Sequence, residues 1–471
     1  MKFIQNIKKN IFWSKPIYYI CVVFVTMILF SGCENFVDVD APDSQLTGET
    51  VFENANTAKA SLLHIYSRLR DNVLVTGNNY GITLLLGFYA DELTYYSTAN
   101  LPDQNFYQNN LLASNTTILS TWTDSYNLIY SANSILEGLV KSPNISDVDK
   151  KQLQGEALFI RAYIHFYLLN LYGSIPYVTT TDYRINTTIT KMSPDILYPL
   201  LIEDLKQAET LLSDSYVGAD RVRPNRSVVQ ALLSRIYLYT GDWQSAEMEA
   251  NTIIANTTLY SWVDNLDNVF LKNSTGTLWQ LMAGSSGLNT IEAQSFIFTS
   301  GPPPERSLTD ELVSAFEPGD ERKTHWIGSV SNDTDTWYFA NKYKENSSTS
   351  SSVEYSILFR LEELYLIRAE ALAQQGNLNG AKEDLNKIRN RAGLGDIITN
   401  NKEEILQAIL KERRVEFFTE LGHRWFDLKR TGQLNNALSY KPGWDANDTL
   451  WPLPETELLL NPNLAPQNTG Y

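Results

Sequence analysis

The sequence predicts a mainly α fold in which helix pairs pack against an irregular, loop-rich segment with a few short strands. Three observations carry this. Apolar residues recur at three- and four-residue spacing through most of the chain. A small–large apolar–Gly–polar–large apolar–Ala pattern occurs twice. Between about 259 and 355 the periodicity fades, and Gly, Ser, Thr, Asn and Pro rise.

Taken in order, the chain begins with an address. Lys2, Lys8, Lys9 and Lys15 make a basic start, followed by a 14-residue apolar run, Ile17 to Phe30. Spanning a bilayer takes about 20 apolar residues, so this run has the dimensions of a signal-peptide core instead. Ser31-Gly32-Cys33 follows and resembles a bacterial lipobox, with Phe30 where leucine is usual. Cys33 is therefore the expected lipidation site, after a signal peptide spanning 1–32. The alternative is an ordinary secretory signal in which Cys33 is incidental. Cleavage removes four lysines, no acids and Cys21, taking the formal charge from −16 to −20. Residues 33–45 then form a lipidated, acidic leader, and 46–471 a single domain with its insert at about 259–355.

Within that domain, Asn56–Asp71 carries Ala58, Leu62, Ile65 and Leu69 on one helical face. Trp122–Leu139, Lys151–Tyr172, Pro194–Leu212, Asn225–Thr240 and Ala246–Ile254 continue the pattern. In the insert, Thr277–Met282 and Phe296–Thr299 read as short strands. Helices return at Phe359–Gln375, Leu378–Arg391 and Lys402–Glu420.

The repeated pattern is Ser234, Tyr237, Gly241, Asp242, Trp243, Ala246, Ala250 and then Ala369, Leu372, Gly376, Asn377, Leu378, Ala381, Leu385. It fits a tetratricopeptide-like helix pair. Small residues let two antiparallel helices approach, and the glycine with its polar neighbour turns the chain. The two units lie 135 residues apart, which excludes a simple tandem array.

Composition excludes several classes. Lys+Arg 38 against Asp+Glu 54 argues against a phosphate-backbone partner, so no nucleic acid is expected. Two cysteines and four histidines leave no disulfide framework and little room for a metal centre, and no cofactor or metal is expected.

Several segments together resemble the SusD/RagB family of outer-membrane nutrient-binding lipoproteins. Gly155-Glu156-Ala157 through Arg161-Ala162, and Asn170-Leu171-Tyr172-Gly173-Ser174-Ile175-Pro176, match an internal motif. The most specific is Glu412-Arg413-Arg414-Val415-Glu416 with Gly422-His423-Arg424-Trp425-Phe426-Asp427-Leu428-Lys429-Arg430. Trp451-Pro452-Leu453-Pro454, Asn461-Pro462-Asn463-Leu464 and Gln467-Asn468-Thr469-Gly470-Tyr471 close the chain, with Thr469 where proline is usual. The resemblance implies a non-enzymatic, surface-exposed lipoprotein. It would bind a glycan and deliver it to a SusC-like TonB-dependent transporter in the outer membrane. It also implies a glycan held between an N-terminal loop region and the central insert.

Catalytic signals are weak by comparison. The charged residues of 412–430 recur at helical spacing, where they pair with one another in a structural network. His423 has no partner acid or nucleophile indicated nearby. Ala283-Gly284-Ser285-Ser286-Gly287 loosely resembles a nucleophile elbow, which needs a strand before it and a helix after. Asn332-Asp333-Thr334-Asp335 and Asp264/Asp267 offer oxygens to calcium but lack a loop site's glycine and distal glutamate. No catalytic residue is expected.

Sugar rings have apolar faces on which flat aromatics stack, while amides and charges bond the hydroxyls. Aromatics in polar loops are the candidates: Tyr80, Tyr95 and Tyr96 in the N-terminal region, Trp326, Trp337 and Tyr338 in the insert. At least two of Tyr95, Tyr96, Trp326 and Trp337 are expected on one exposed shelf. Trp122, Trp243 and Trp425 lie within helical motifs and are expected to pack. Two other readings stay open, a peptide-binding member of the same family and a lipoprotein hydrolase.

Overall fold

The computed structural model describes residues 51–97 and 101–471. The signal peptide, Cys33 and the leader lie outside them. The described residues belong to one compact unit, Gly48–Tyr471.

The principal helices are α1 (Ala55–Asp71), α2 (Ile82–Tyr89), α3 (Leu101–Tyr107), α4 (Thr116–Lys141), α5 (Asp147–Tyr172), α6 (Pro194–Leu211), α7 (Arg226–Thr240) and α8 (Trp243–Ile254). After the insert, which holds the short α9 (Ile291–Phe296) and α10 (Glu321–Trp326), come α11 (Leu361–Gln374), α12 (Leu378–Arg391), α13 (Lys402–Glu416) and α14 (His423–Arg430). Side chains set their starts. Asn54, Asn115 and Ser146 each accept a bond from a first-turn N–H of α1, α4 and α5, satisfying donors the helix itself leaves free.

The two repeat turns are built alike. Gly241 ends α7 at φ +76°, the next N–H bonds back to Tyr237 O at 3.0 Å, and Asp242 caps α8 through Ser245 N. Gly376 does the same after α11 at φ +88°, with Asn377 N on Leu372 O and Asn377 capping α12 through Gly380 N. One glycine in the left-handed region closes a helix, and the following polar residue opens the next. Ser234 shows why a small residue is needed: its hydroxyl reaches Ala246 O on the partner helix, 2.9 Å away.

Helix α5 packs between α4 and α6; α7 packs on α8, α8 on α11, and α11 on both α12 and α13. The two sequence-distant units are thus neighbours in space. Helix α5 is buried nearly all round from Gly155 to Tyr172, so it forms the centre of the core rather than one amphipathic face of it.

The insert supplies most of the β-structure. A four-stranded antiparallel sheet has the order β1 (Leu93–Tyr95), β3 (Arg306–Leu308), β5 (Thr336–Ala340), β4 (Ile327–Ser331). A second sheet pairs β2 (Thr277–Leu281) with β6 (Ser356–Arg360). Three expectations need correction. Residues 297–299 are not a strand; α9 ends at Phe296 and a loop follows. Phe359 lies in β6, so α11 begins later than expected. Helix α13 stops at Glu416, because Thr419, Leu421 and Gly422 adopt left-handed backbone. The strands of the β4–β5 hairpin were not foreseen.

The charged segment 412–430 forms the expected structural network. Fully buried Arg322 forms ion pairs with Glu412 (2.7 Å), Glu416 (2.8 Å) and Asp320 (2.8 Å). Glu416 also accepts from Arg360 (2.6 Å) and Arg391 (2.5 Å). These bonds tie the insert to β6, α12 and α13. Three guanidinium groups hold the Glu416 carboxyl well below the ordinary range despite its burial.

Candidate functional site

A cleft of about 560 Å³ opens between the loop 77–80 and the insert, with Thr116 and Thr117 at the start of α4 along one side. Asn78 builds the loop. Its side chain accepts from Tyr80 N at 2.9 Å and donates to Asp71 O at 2.8 Å, an Asx turn anchored to the end of α1. Two bonds fasten this loop to the insert, and a third braces the insert side. Ser295 Oγ donates to Gly77 O (2.8 Å), Arg306 Nη2 to Asn79 Oδ1 (2.6 Å), and Arg306 Nη1 to Ser295 O (2.6 Å). Arg306 is itself buried and also pairs with Glu305. Asn78, Asn79 and Gln294 give the cleft amides, and Tyr80 gives it a ring that is 53% exposed.

The adjoining sheet sorts the other aromatics by register. Thr94 faces Ser307, Leu308 faces Tyr338, and Val330 faces Trp337. Residues directly opposite share a face, and neighbours along a strand alternate. Tyr96 and Trp337 therefore project from one face, Tyr95 and Tyr338 from the other. Tyr96 is exposed, and its N–H donates to Glu305 O at 2.8 Å, which joins it to the rim of the cleft. Trp337 is half-buried. The backbone at Gly301 lies so close that a β-carbon there would stand 2.1 Å from the indole. Phe298, which lines the cleft, packs edge-on against Phe339 of the same face. On the opposite face, half-buried Tyr95 packs against Phe88 and Tyr107.

Trp326 is a correction. It is completely buried, its indole N–H donates to Leu266 O at 3.1 Å, and its ring packs on Phe270. The reason is helical spacing: Trp326 lies four residues after Arg322 on α10, so it shares the inward face of that buried arginine. It does not belong to a surface platform. Trp122 and Trp425 are buried as expected, and Trp243 is partly buried against the core.

A larger cleft of about 750 Å³ lies beside β1, with half-buried Tyr107, exposed Tyr440 and exposed Glu311 in its lining. Its floor is structural. Lys441 is buried and spans the carbonyls of Phe88 (2.6 Å), Tyr89 (3.1 Å) and Ala90 (2.7 Å), while Asp91 is paired with Arg414 and Arg424. Both clefts combine an exposed ring with amides, Tyr440 with Gln108 and Asn110 in the larger one; the first is the stronger candidate because its lining comes from both the N-terminal loop and the insert.

The strongly shifted groups do not form a catalytic pair in the candidate cleft. Burial pushes Glu92 up to about 7, with Asp91 beside it adding to the rise, but Glu92 is enclosed against Thr419. Burial also raises Asp103, behind Arg306, to about 6. His423 is buried and held far below its ordinary value by desolvation and by neighbouring cations. The Ser285 loop follows β2 without leading directly into a helix, so it lacks an elbow's geometry. Asn332 closes the β4–β5 turn by accepting from Thr334 N and Asp335 N, and Asp267 is paired with His325 and Lys344. Among the described residues no group of three or more potential ligands could hold a metal, and no helix is long and apolar enough to cross a membrane.

The sequence missed Gln294, Ser295, Glu305 and Arg306. They are single polar residues in aperiodic segments, and neither spacing nor composition marks them.

Comparison with known proteins gives a consistent picture. Residues 49–238 match the family described as starch-binding associating with outer membrane, and 321–471 match the SusD family. SusD-like protein P38 of Formosa agariphila is 25% identical, over 96% of this chain and 98% of its own. The starch-binding protein SusD of Bacteroides thetaiotaomicron is 25% identical over 71% of this chain and 75% of its own. Among solved structures, a SusD superfamily protein from Bacteroides vulgatus superposes with a TM-score of 0.78 at 22% identity, covering 88% of this chain and 99% of that one. A laminarin-binding SusD-like protein gives 0.73 at 22% identity, covering 89% and 100%.

Proposed function

The chain belongs to the SusD/RagB family, and from that premise we propose that it binds an oligosaccharide in the cleft between loop 77–80 and the insert. The observation that carries this is the pairing of the exposed Tyr80 ring with the amides of Asn78, Asn79 and Gln294 around one opening. A ring face accepts the apolar face of a sugar, and amides both donate to and accept from its hydroxyls. Tyr96 and Trp337, on one face of the adjoining sheet, extend the platform. The starch-binding and laminarin-binding relatives support carbohydrate as the ligand class.

The remainder of the reading is cellular. Cys33 carries the lipid that holds the protein at the outer membrane, exposed at the cell surface, and the glycan passes to a TonB-dependent transporter. The ligand is released intact, because the shifted acids are enclosed in the core rather than paired across the opening.

The test is calorimetric titration of the purified chain with a panel of oligosaccharides, repeated with Tyr80→Ala and Asn79→Ala. Saturable binding that both variants weaken supports the site. Binding that neither variant changes removes the ligand from this cleft.

A further inference from the structure

Resting on the reading of this cleft as the glycan site, we infer that its ligand is an uncharged oligosaccharide, and that uronate- or sulfate-bearing glycans are rejected. The inference comes from the two charged groups at the opening. Arg306 lines it, but the guanidinium is buried and its Nη atoms are spent on Ser295 O, Asn79 Oδ1 and the Glu305 carboxylate. It holds the two lips together, and Nε, its one nitrogen without a partner, is enclosed, so the cation is masked by burial and by Glu305 rather than presented to a ligand's anion. The Glu305 side chain is half exposed, so the charge a ligand meets is negative. Everything else the site offers is neutral: a phenol ring, amides and threonine hydroxyls.

The surroundings point the same way. The larger cleft beside β1 also shows a carboxylate, Glu311, at its surface, while its lysine is enclosed beneath three carbonyls. A more cationic hollow, lined by Lys411, Arg414 and Arg424, lies on α13 and α14. Its cations are already paired with Glu317 and Asp91. With a formal charge of −16 the molecule as a whole repels polyanions at long range. A sugar carboxylate brought beside Glu305 pays that repulsion at short range, where salt screens it least.

The experiment titrates the full chain in detergent with neutral oligosaccharides (gluco-, manno- and xylo-series) and with oligomers of alginate, polygalacturonate and a sulfated galactan. The expected result is saturable binding of a neutral series that is insensitive to added salt. Every anionic series should bind at least about tenfold more weakly. Glu305→Gln removes the exposed charge at the opening, so it should narrow the ratio of neutral to anionic affinity by about tenfold. Tight binding of an anionic series by the native protein, or an unchanged ratio in a folded Glu305→Gln variant, overturns the charge selection alone. If no series of either kind binds, the glycan reading of the cleft falls and this inference falls with it.

Discussion

Arg424 closes a two-pronged bond on Asp91, Nε to one carboxylate oxygen at 2.8 Å and Nη2 to the other at 2.7 Å, across 333 residues of sequence. Arg414 reaches the same carboxylate at 2.9 Å. The C-terminal motif thereby grips the chain two residues before β1, the strand that carries Tyr95. Both partners are largely buried, so the pair is shielded from solvent screening.

Arg424→Ala should therefore lower stability by about 3 kcal/mol, since it leaves a buried carboxylate with one partner instead of two. Thermal or urea unfolding checks this. A variant that melts normally but no longer binds glycan would make this face part of the ligand site.

Tyr80→Ala and Trp326→Ala should part company. The first removes an exposed ring and should weaken glycan binding about tenfold while leaving the melt unchanged. The second empties a buried site and should destabilise the fold by about 3–5 kcal/mol. Titration beside a thermal melt of each variant distinguishes the two; equal melting losses would contradict the assignment.

Glu92 gives a pH dependence with a definite sign. Its folded value is raised from 4.5 to about 7 by burial first and by neighbouring Asp91 second. Between those values the folded state binds the proton more tightly than the unfolded chain. Stability from this group is therefore lost as pH rises from about 4.5 through 7. Relative to Glu92→Gln, the native melting temperature should fall between pH 5 and pH 8. A constant difference would place the proton elsewhere.

Cys33→Ala should abolish membrane partition in cells and leave the protein soluble or unprocessed. Detergent phase separation of labelled cells reads this directly, and a variant that still partitions like the parent would show that Cys33 is not the anchor.

The helical scaffold was largely legible because its signals are periodic and local. Leu62, Ile65 and Leu69 announce α1, and Gly241-Asp242 and Gly376-Asn377 announce both repeat turns. The cleft was legible only at Tyr80 and, less directly, Tyr96. Trp326 misled because α10 has six residues, too few to display a period, and the inward arginine four positions earlier was not read as a marker. The β4–β5 hairpin hid behind Asn332–Asp335, whose side-chain oxygens suggested a cation where one of them closes a turn. Glu305 and Arg306 were invisible for a different reason: their roles depend on partners in a distant loop, and pairing of that kind leaves no local trace.

The bond between Arg306 and Asn79 spans 227 positions, and it makes the cleft a property of the finished chain. A ribosome that has reached residue 290 has released one lip of the opening and none of the other. Assembly of the opening therefore has a threshold in biosynthesis, set by the appearance of β3 rather than by the appearance of Tyr80. The same span means that a protease cut which lets the two lips drift apart blinds the molecule even if every contact residue survives. On the reading of this cleft as the ligand site, binding thus reports on the integrity of the stretch from Asn79 to Arg306.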